Sequence, residues 1–387
     1  MSGAPSEPPS GASAPGPRPS GHPRPAPRAG RKPAWLKHKP PAPRQYRATG
    51  ALLDELGLHT VCEEARCPNK GECFGSGTAT FLILGDACTR SCGFCSVEHA
   101  PARPAAPGVA GASGPEPASC ALDADEPERV AQAASRLGLR HVVVTSVTRD
   151  DLADGGAAHF AATVRAVREA VPGATVEVLI PDLGGDDAAL RAVLAVRPDV
   201  LGHNLETVPR LYPVARPQAG YERSLELLRR AALWARDESA SPARGEAAGP
   251  VPGEAPRETP GEPGRHAPGV RGHAPAEHTA SSLAPPRPLV KTGIMVGLGE
   301  TEEEVDAVLR DAAAAGVDLV TIGQYLQPRR ECLPVDRFVE PAEFAAWERR
   351  GAELGLAVTA APFVRSSYRA GEALQRRAPA GPEGAPS

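Results

Sequence analysis

The sequence predicts an α/β domain shaped as a partial (β/α)6 barrel, and three observations predict it. Short β-rich runs alternate with helix-period segments along most of the chain. Those runs are nearly continuously apolar and β-branched, as parallel strands buried on both faces require. There are six βα units, too few to close an eight-stranded barrel. The strand segments are 80–84, 141–146, 175–180, 200–204, 289–296 and 319–325, with a late edge strand at 356–360. Helices are expected at 126–137, 157–170, 187–196, 221–234 and 302–315, punctuated by breakers such as Pro198 and Gly316. In barrels of this kind chemistry gathers at the C-terminal strand ends. The polar motifs follow that rule: CTRSCGFC succeeds the first strand, 146–151 the second, 203–207 the fourth, 297–300 the fifth and 324–328 the sixth.

The chain has 387 residues, a formal net charge of −4 and 41% apolar residues, ample for a sizeable core. Nothing marks a nucleic-acid surface, and no apolar run of about 18 residues marks a membrane span; neither nucleic acid nor membrane is an expected partner. Proline (44) and glycine (40) exceed the usual share, and the excess is local. Residues 1–30 lack the apolar core of a secretory signal, and their proline forbids the amphipathic helix of a transit peptide. A disordered tail is expected there, with disordered insertions of the same composition at 100–122 and 236–287. What remains divides into an N-terminal extension (31–79), the barrel (80–364) and a C-terminal segment (365–387).

Six of the eight cysteines form two triplets. Cys62, Cys67 and Cys73 are spaced C-x4-C-x5-C; Cys88, Cys92 and Cys95 are spaced C-x3-C-x2-C. A disulfide framework would spread its cysteines along the chain, and zinc prefers pairs of C-x2-C separated by a dozen or more residues, of which Cys92 and Cys95 make only one. A ferredoxin uses four thiolates per cluster. Three thiolates on a short loop instead hold three corners of a [4Fe–4S] cluster and leave the fourth iron for a ligand that is not protein. Two clusters are therefore expected, and thiolate-held clusters call for a reducing compartment, by default the cytoplasm.

CTRSCGFC is similar to the signature loop of the radical S-adenosylmethionine (SAM) superfamily. Together with the first triplet and Arg365-Ser366-Ser367-Tyr368, it resembles the lipoyl synthase family of that superfamily. The resemblance implies a radical SAM partial barrel, two [4Fe–4S] clusters and SAM. It implies that Cys88, Cys92 and Cys95 hold the catalytic cluster, whose open iron chelates SAM. Cys62, Cys67 and Cys73 would hold the auxiliary cluster, with Ser367 as fourth ligand by family analogy; the residues alone do not separate it from Ser366. An oxygen is harder than a thiolate and poorly matched to this site, which would make that bond labile. The implied reaction inserts two sulfur atoms, at C6 and C8 of an octanoyl-lysyl group, with the auxiliary cluster as sulfur donor. Breaking an unactivated C–H bond needs radical cofactor chemistry.

The implied partners are an octanoylated lipoyl carrier domain (of a 2-oxoacid dehydrogenase E2 or the glycine cleavage H protein), a ferredoxin or flavodoxin reductant, and an iron–sulfur carrier protein. Two rival readings stand beside this one: another auxiliary-cluster sulfur-insertion enzyme such as biotin synthase, or a non-catalytic two-cluster electron-transfer protein.

SAM contacts follow from the remaining motifs. Asn204 and Glu206 sit two residues apart on one strand face and resemble the ribose-binding pair of biotin synthase; they could equally hydrogen-bond their own loop. Arg216 and Arg223 could each pair with the SAM carboxylate or form a structural ion pair. Gly297 and Gly299, in Gly-Ile-Met-Val-Gly-Leu-Gly-Glu, resemble the glycine-bearing strand laid against SAM. The pair Asp150 and Asp151 could receive the SAM ammonium or cap the helix that follows. Cys120 and Cys332 are given no ligand role.

Overall fold

The computed structural model describes residues 30–37, 43–75, 79–99, 122–240 and 287–367. Among them seven strands run parallel in chain order: β1 (Thr80–Ile83), β2 (His141–Ser146), β3 (Thr175–Leu179), β4 (Val200–Gly202), β5 (Leu289–Val296), β6 (Leu319–Gln324) and β7 (Ala357–Ala361). The short pair His59–Thr60 adds an antiparallel edge beside β1. The six expected strands and the late edge segment are all present, and the late segment pairs with β6 from Ala357 opposite Leu319 to Ala361 opposite Gly323. The α/β class and the open barrel stand: β1 and β7 do not pair with each other.

Helices α1 (Glu126–Arg136), α2 (Ala157–Ala170), α3 (Asp187–Ala195), α4 (Tyr221–Ala240), α5 (Glu302–Ala314) and α6 (Pro341–Glu353) connect the strands. Their starts are chemically explicit. Asp186 accepts from the Ala188 and Ala189 N–H groups at α3. Capping boxes open α5 (Thr301 with Glu304) and α6 (Glu340 with Glu343, Pro341 at the first position). Alternation decides what each strand buries: Phe81 and Ile83 of β1 are fully buried in the apolar core, whereas Thr80 and Leu82 face the interior of the barrel. One buried polar pair inside the sheet escapes any reading of periodicity. Lys291 Nζ of β5 donates to Glu177 Oε1 of β3 at 2.8 Å, reaching across β4.

The expected second insertion begins too early and ends too late. Residues 236–240 continue α4, and Ala235 just before them is fully buried. Arg287 is fixed by a two-pronged ion pair to Asp318 (2.7 and 2.8 Å). The N-terminal tail to residue 29, residues 100–121 with Cys120, residues 241–286 and Tyr368 lie outside the described residues.

Candidate active site

The signature loop leaves β1 through Leu84, whose φ is +70° and whose N–H is taken by Glu126 Oε2 at 2.9 Å. The loop folds back on itself through a two-residue parallel pairing, Ala87 with Glu98 and Cys88 with His99. Thr89 N–H donates to Thr148 O (3.0 Å) and Gly93 N–H to Ala215 O (2.8 Å), tying the loop to the ends of neighbouring units. Glycine is required at 93, since a Cβ there would meet Val214 O at 2.8 Å.

Arg90, inside the motif, is buried and clamps the loop from below. Its guanidinium donates twice to Asp150 (both 2.7 Å) and twice to Asp182 (2.9 and 2.7 Å). Burial works against the Asp182 charge, but Arg90 and Arg223 prevail and hold that carboxyl down to about 2.

The first triplet is assembled by two short helices, Val61–Glu64 and Lys70–Gly75, carrying Cys62 and Cys73. Cys67 lies between them, after Arg66 at φ +49°. Lys70 holds the second helix in place by its contact with Glu63 and by sitting 5.1 Å over the Phe74 ring. Asn69 Nδ2 donates to Phe363 O at 2.7 Å and so joins this extension to the C-terminal segment.

Both triplets fit a thiolate-held cluster. Cys88 sulfur receives the backbone N–H of Arg90 (3.4 Å) and of Thr148 (3.3 Å). Backbone N–H groups also reach Cys95 (from Val97), Cys67 (from Asn69 and Lys70) and Cys62 (from Thr80). Such donors favour sulfur that carries negative charge. In the protein without iron, burial pushes the Cys92 thiol up to about 11, against Arg216, and Cys95 up to about 12. Burial likewise raises Cys67. Cys62 is raised by its hydrogen bond with Cys73 and by burial. Metal binding must therefore expel these protons. Among the described residues no three His, Cys, Asp or Glu side chains converge on a single ion. A cluster that takes one thiolate per iron needs them dispersed rather than convergent.

Members of both triplets line a common space. A cavity of about 550 Å³ inside the barrel is lined by Cys62 and Cys67 of the first triplet and Cys95 of the second, together with Asn204 and Glu206. A smaller cavity of about 170 Å³ adjoins it through Cys95, Asn204 and Glu206 and adds Cys88, Cys92, His203 and Arg216.

The expected SAM residues fare differently. Asn204 and Glu206 do share the cavity wall, but not on a regular strand, since β4 stops at Gly202. His203 N–H still donates to Lys291 O of β5 at 3.0 Å, and beyond it an isolated bridge pairs Glu206 (φ +67°) with Ile294, the Glu206 N–H donating to Gly293 O at 2.9 Å. Asn204 Nδ2 reaches Glu206 Oε1 at 3.1 Å. Burial raises the Glu206 pKa, against Arg216 and Asn204.

Arg216 lines the smaller cavity. Its Nη1 donates to Asn204 O (2.9 Å), its guanidinium lies 5.4 Å from the Tyr212 ring centroid, and its buried Nε has no protein partner. Arg223 does not line either cavity; its Nε donates to Asp182 Oδ2 at 2.8 Å, the structural ion pair that the sequence left open.

Gly297 and Gly299 also stand away from the cavities. They have φ of +99° and +111° in a turn where Leu298 N–H donates to Glu300 Oε2 (2.9 Å). The glycines at the wall are Gly293 and Gly323, and a Cβ at Gly293 would meet Asn204 Oδ1 and Thr321 Oγ1 at 2.8 Å each. Asp150 is engaged by Arg90 and Asp151 by Arg149. The helix after them is held instead by Asp154, which accepts from Gly156 and Ala158 N–H.

The sequence assigns no role to His203 or Cys332. His203 is 1% exposed, its Nδ1 bonded to Ile180 O (2.9 Å) and its buried Nε2 facing the smaller cavity; burial and Arg216 hold it down to about 4, hence neutral. Cys332 is buried with its sulfur 3.3 Å from Cys95 O, so it packs beside the signature loop. The C-terminal Ser366 and Ser367 line the larger cavity together with Arg365, which lies within electrostatic reach of Cys67.

The chain is similar to known proteins. Residues 82–232 match the family model of the radical SAM superfamily, and residues 21–67 match that of the N-terminal domain of lipoyl synthase. A lipoyl synthase of Nitratidesulfovibrio vulgaris is 46% identical over 356 residues, covering 90% of this chain and 96% of that one. A lipoyl synthase of Rubrobacter xylanophilus is 45% identical over 342 residues, covering 88% and 86%. The solved structure of a methylornithine synthase overlays with a TM-score of 0.42 at 13% identity, covering 81% of each chain.

Proposed function

We propose, for a chain that belongs to the lipoyl synthase family of the radical SAM superfamily, that each cysteine triplet holds its own [4Fe–4S] cluster at opposite sides of one substrate cavity. The protein is a radical SAM sulfurtransferase that uses SAM and a [4Fe–4S] cluster and acts on a lipoyl carrier. When bound, the cluster on Cys88, Cys92 and Cys95 supplies the electron for SAM cleavage, and the one on Cys62, Cys67, Cys73 and Ser367 supplies sulfur for C6 and C8 of the octanoyl chain. The observation that carries this division is the lining of the 550 Å³ cavity by Cys62, Cys67 and Cys95 together. A cavity of that size suits an acyl chain beside a cofactor, and an electron carrier has no use for one.

The chain's own residues prepare the site. Asn204 and Glu206 present an amide and a carboxylate suited to paired ribose hydroxyls. Arg216 offers its unpartnered Nε to the SAM carboxylate, and Gly293 keeps the wall low enough for close approach. Leu82, Ile294 and Val364 provide apolar walls for an alkyl chain. Among the described residues no helix is long and apolar enough to cross a membrane. We retain the division into extension, barrel and tail, with a 2-oxoacid dehydrogenase E2 or glycine cleavage H protein domain as carrier, ferredoxin or flavodoxin as reductant, an iron–sulfur carrier for restoring the auxiliary cluster, and the cytoplasm as compartment.

Counting iron and sulfide after anaerobic reconstitution tests the reading. About eight irons per chain are expected from two clusters; a value near four would withdraw one triplet.

A further inference from the structure

The two hydroxyls of the C-terminal segment are distinguished by what they touch. Ser366 Oγ accepts from Asn204 Nδ2 at 3.0 Å, on the SAM side of the cavity. Ser367 Oγ accepts from Thr80 Oγ1 at 2.9 Å, on the side of the first triplet. Thr80 opens β1, is 7% exposed and lines the cavity with Cys62, Cys67 and Ser367. Its backbone N–H points at the Cys62 sulfur. A single residue therefore touches two members of one ligand set that lie far apart in sequence.

We propose that Thr80 is a positioning residue for the auxiliary site: its hydroxyl holds Ser367 Oγ in the place of the fourth ligand while its N–H holds Cys62. This rests on the reading that Cys62, Cys67, Cys73 and Ser367 form that site. The physical need is specific. A serine side chain has three staggered wells to choose among. A hydrogen bond from a β-branched residue fixed in a strand selects one well, because threonine's own χ1 is stiff there. The merely structural alternative, a buried hydroxyl finding any acceptor, predicts no dependence of the iron site on Thr80.

The test uses the full chain carrying Cys88→Ala, Cys92→Ala and Cys95→Ala, so that only the first triplet binds iron, reconstituted anaerobically with ⁵⁷Fe and sulfide. Iron and sulfide per chain, the rate of iron release to a ferrous chelator and the Mössbauer spectrum are measured. Thr80→Val, which keeps the branched shape and deletes the hydroxyl, should release iron roughly tenfold faster, the scale of one hydrogen bond to a charged group. Thr80→Ser should return to within about twofold of the parent rate, since the hydroxyl is kept. On a Ser367→Ala background, Thr80→Val should add nothing, because the two changes remove one contact. Thr80→Ala serves the same comparison should Thr80→Val fail to fold. Parent-like release from the hydroxyl-free variants, or full additivity with Ser367→Ala, would overturn the role of Thr80 and leave the site itself standing. Failure of the parent to hold about four irons, or parent-like release and spectrum from Ser367→Ala, would overturn the underlying ligand set, and the role of Thr80 with it.

Discussion

At the scale of single residues, the two triplets differ in what their loss should do. Cys92→Ala should abolish SAM cleavage, because the loop loses a thiolate that faces Arg216 and Glu206. Cys67→Ala should leave 5′-deoxyadenosine formation measurable while no sulfur reaches the substrate. Both products measured in the same samples decide it, and identical phenotypes would sink the division of labour. The two arginines make a second pair. Asn204→Ala or Arg216→Ala should weaken SAM binding by roughly tenfold, the worth of one or two hydrogen bonds. Arg223→Ala, whose partner is Asp182 rather than the cavity, should leave SAM affinity within about twofold and lower stability instead. Equilibrium dialysis against labelled SAM separates the two outcomes.

At the scale of elements, the C-terminal segment depends on a missing side chain. A Cβ at Gly323 near the end of β6 would lie 2.0 Å from Val364 O, and backbone cannot yield as a side-chain tip can. Gly323→Ala should push the segment bearing Ser366 and Ser367 off the cavity wall, destabilising the fold by about 1–3 kcal/mol. It should make the auxiliary iron as labile to chelator as Ser367→Ala does; unchanged lability would mean that the segment is held elsewhere. The helix starts, by contrast, were legible. Thr301 and Glu304 have the Thr-x-x-Glu spacing of a capping box, and they cap α5 in the structure. Gly297 and Gly299 misled for a physical reason: glycine marks positive φ in a turn as readily as close approach to a ligand, and here the turn claims them.

At the scale of the whole molecule, the Asp182 clamp joins the signature loop through Arg90 to α4 through Arg223, and its pH dependence is computable in sign. The folded pKa of about 2 lies below the unfolded value near 3.9, so the clamp contributes fully above about pH 4 and is lost as pH falls toward 2. That shift corresponds to about 2 kcal/mol. Asp182→Asn should flatten the acid limb of a pH–stability profile followed by circular dichroism. At neutral pH it should cost about 2 kcal/mol, the worth of that shift, because Arg90 keeps Asp150 and Arg223 is partly exposed. An acid limb with the parent slope would place the titrating group elsewhere.

The sequence by itself determined the α/β class, the two cysteine triplets and the kind of chemistry they perform, because strand periodicity and ligand spacing are local and survive in a linear string. Only the tertiary structure decided which residues meet. The fold brings Cys62, Cys67 and Cys95 to the lining of one cavity, and sets Thr80 against Ser367 across 287 residues and Asn204 against Ser366 across 162. It sends Arg216 to the cavity and Arg223 to Asp182, although the two sit in one short segment of alike appearance. Side-chain direction at the end of a strand is set by neighbours on other strands. Here the regular strand β4 ends at Gly202 and Glu206 returns to β5 by an isolated bridge, so no pattern along the chain could have announced it.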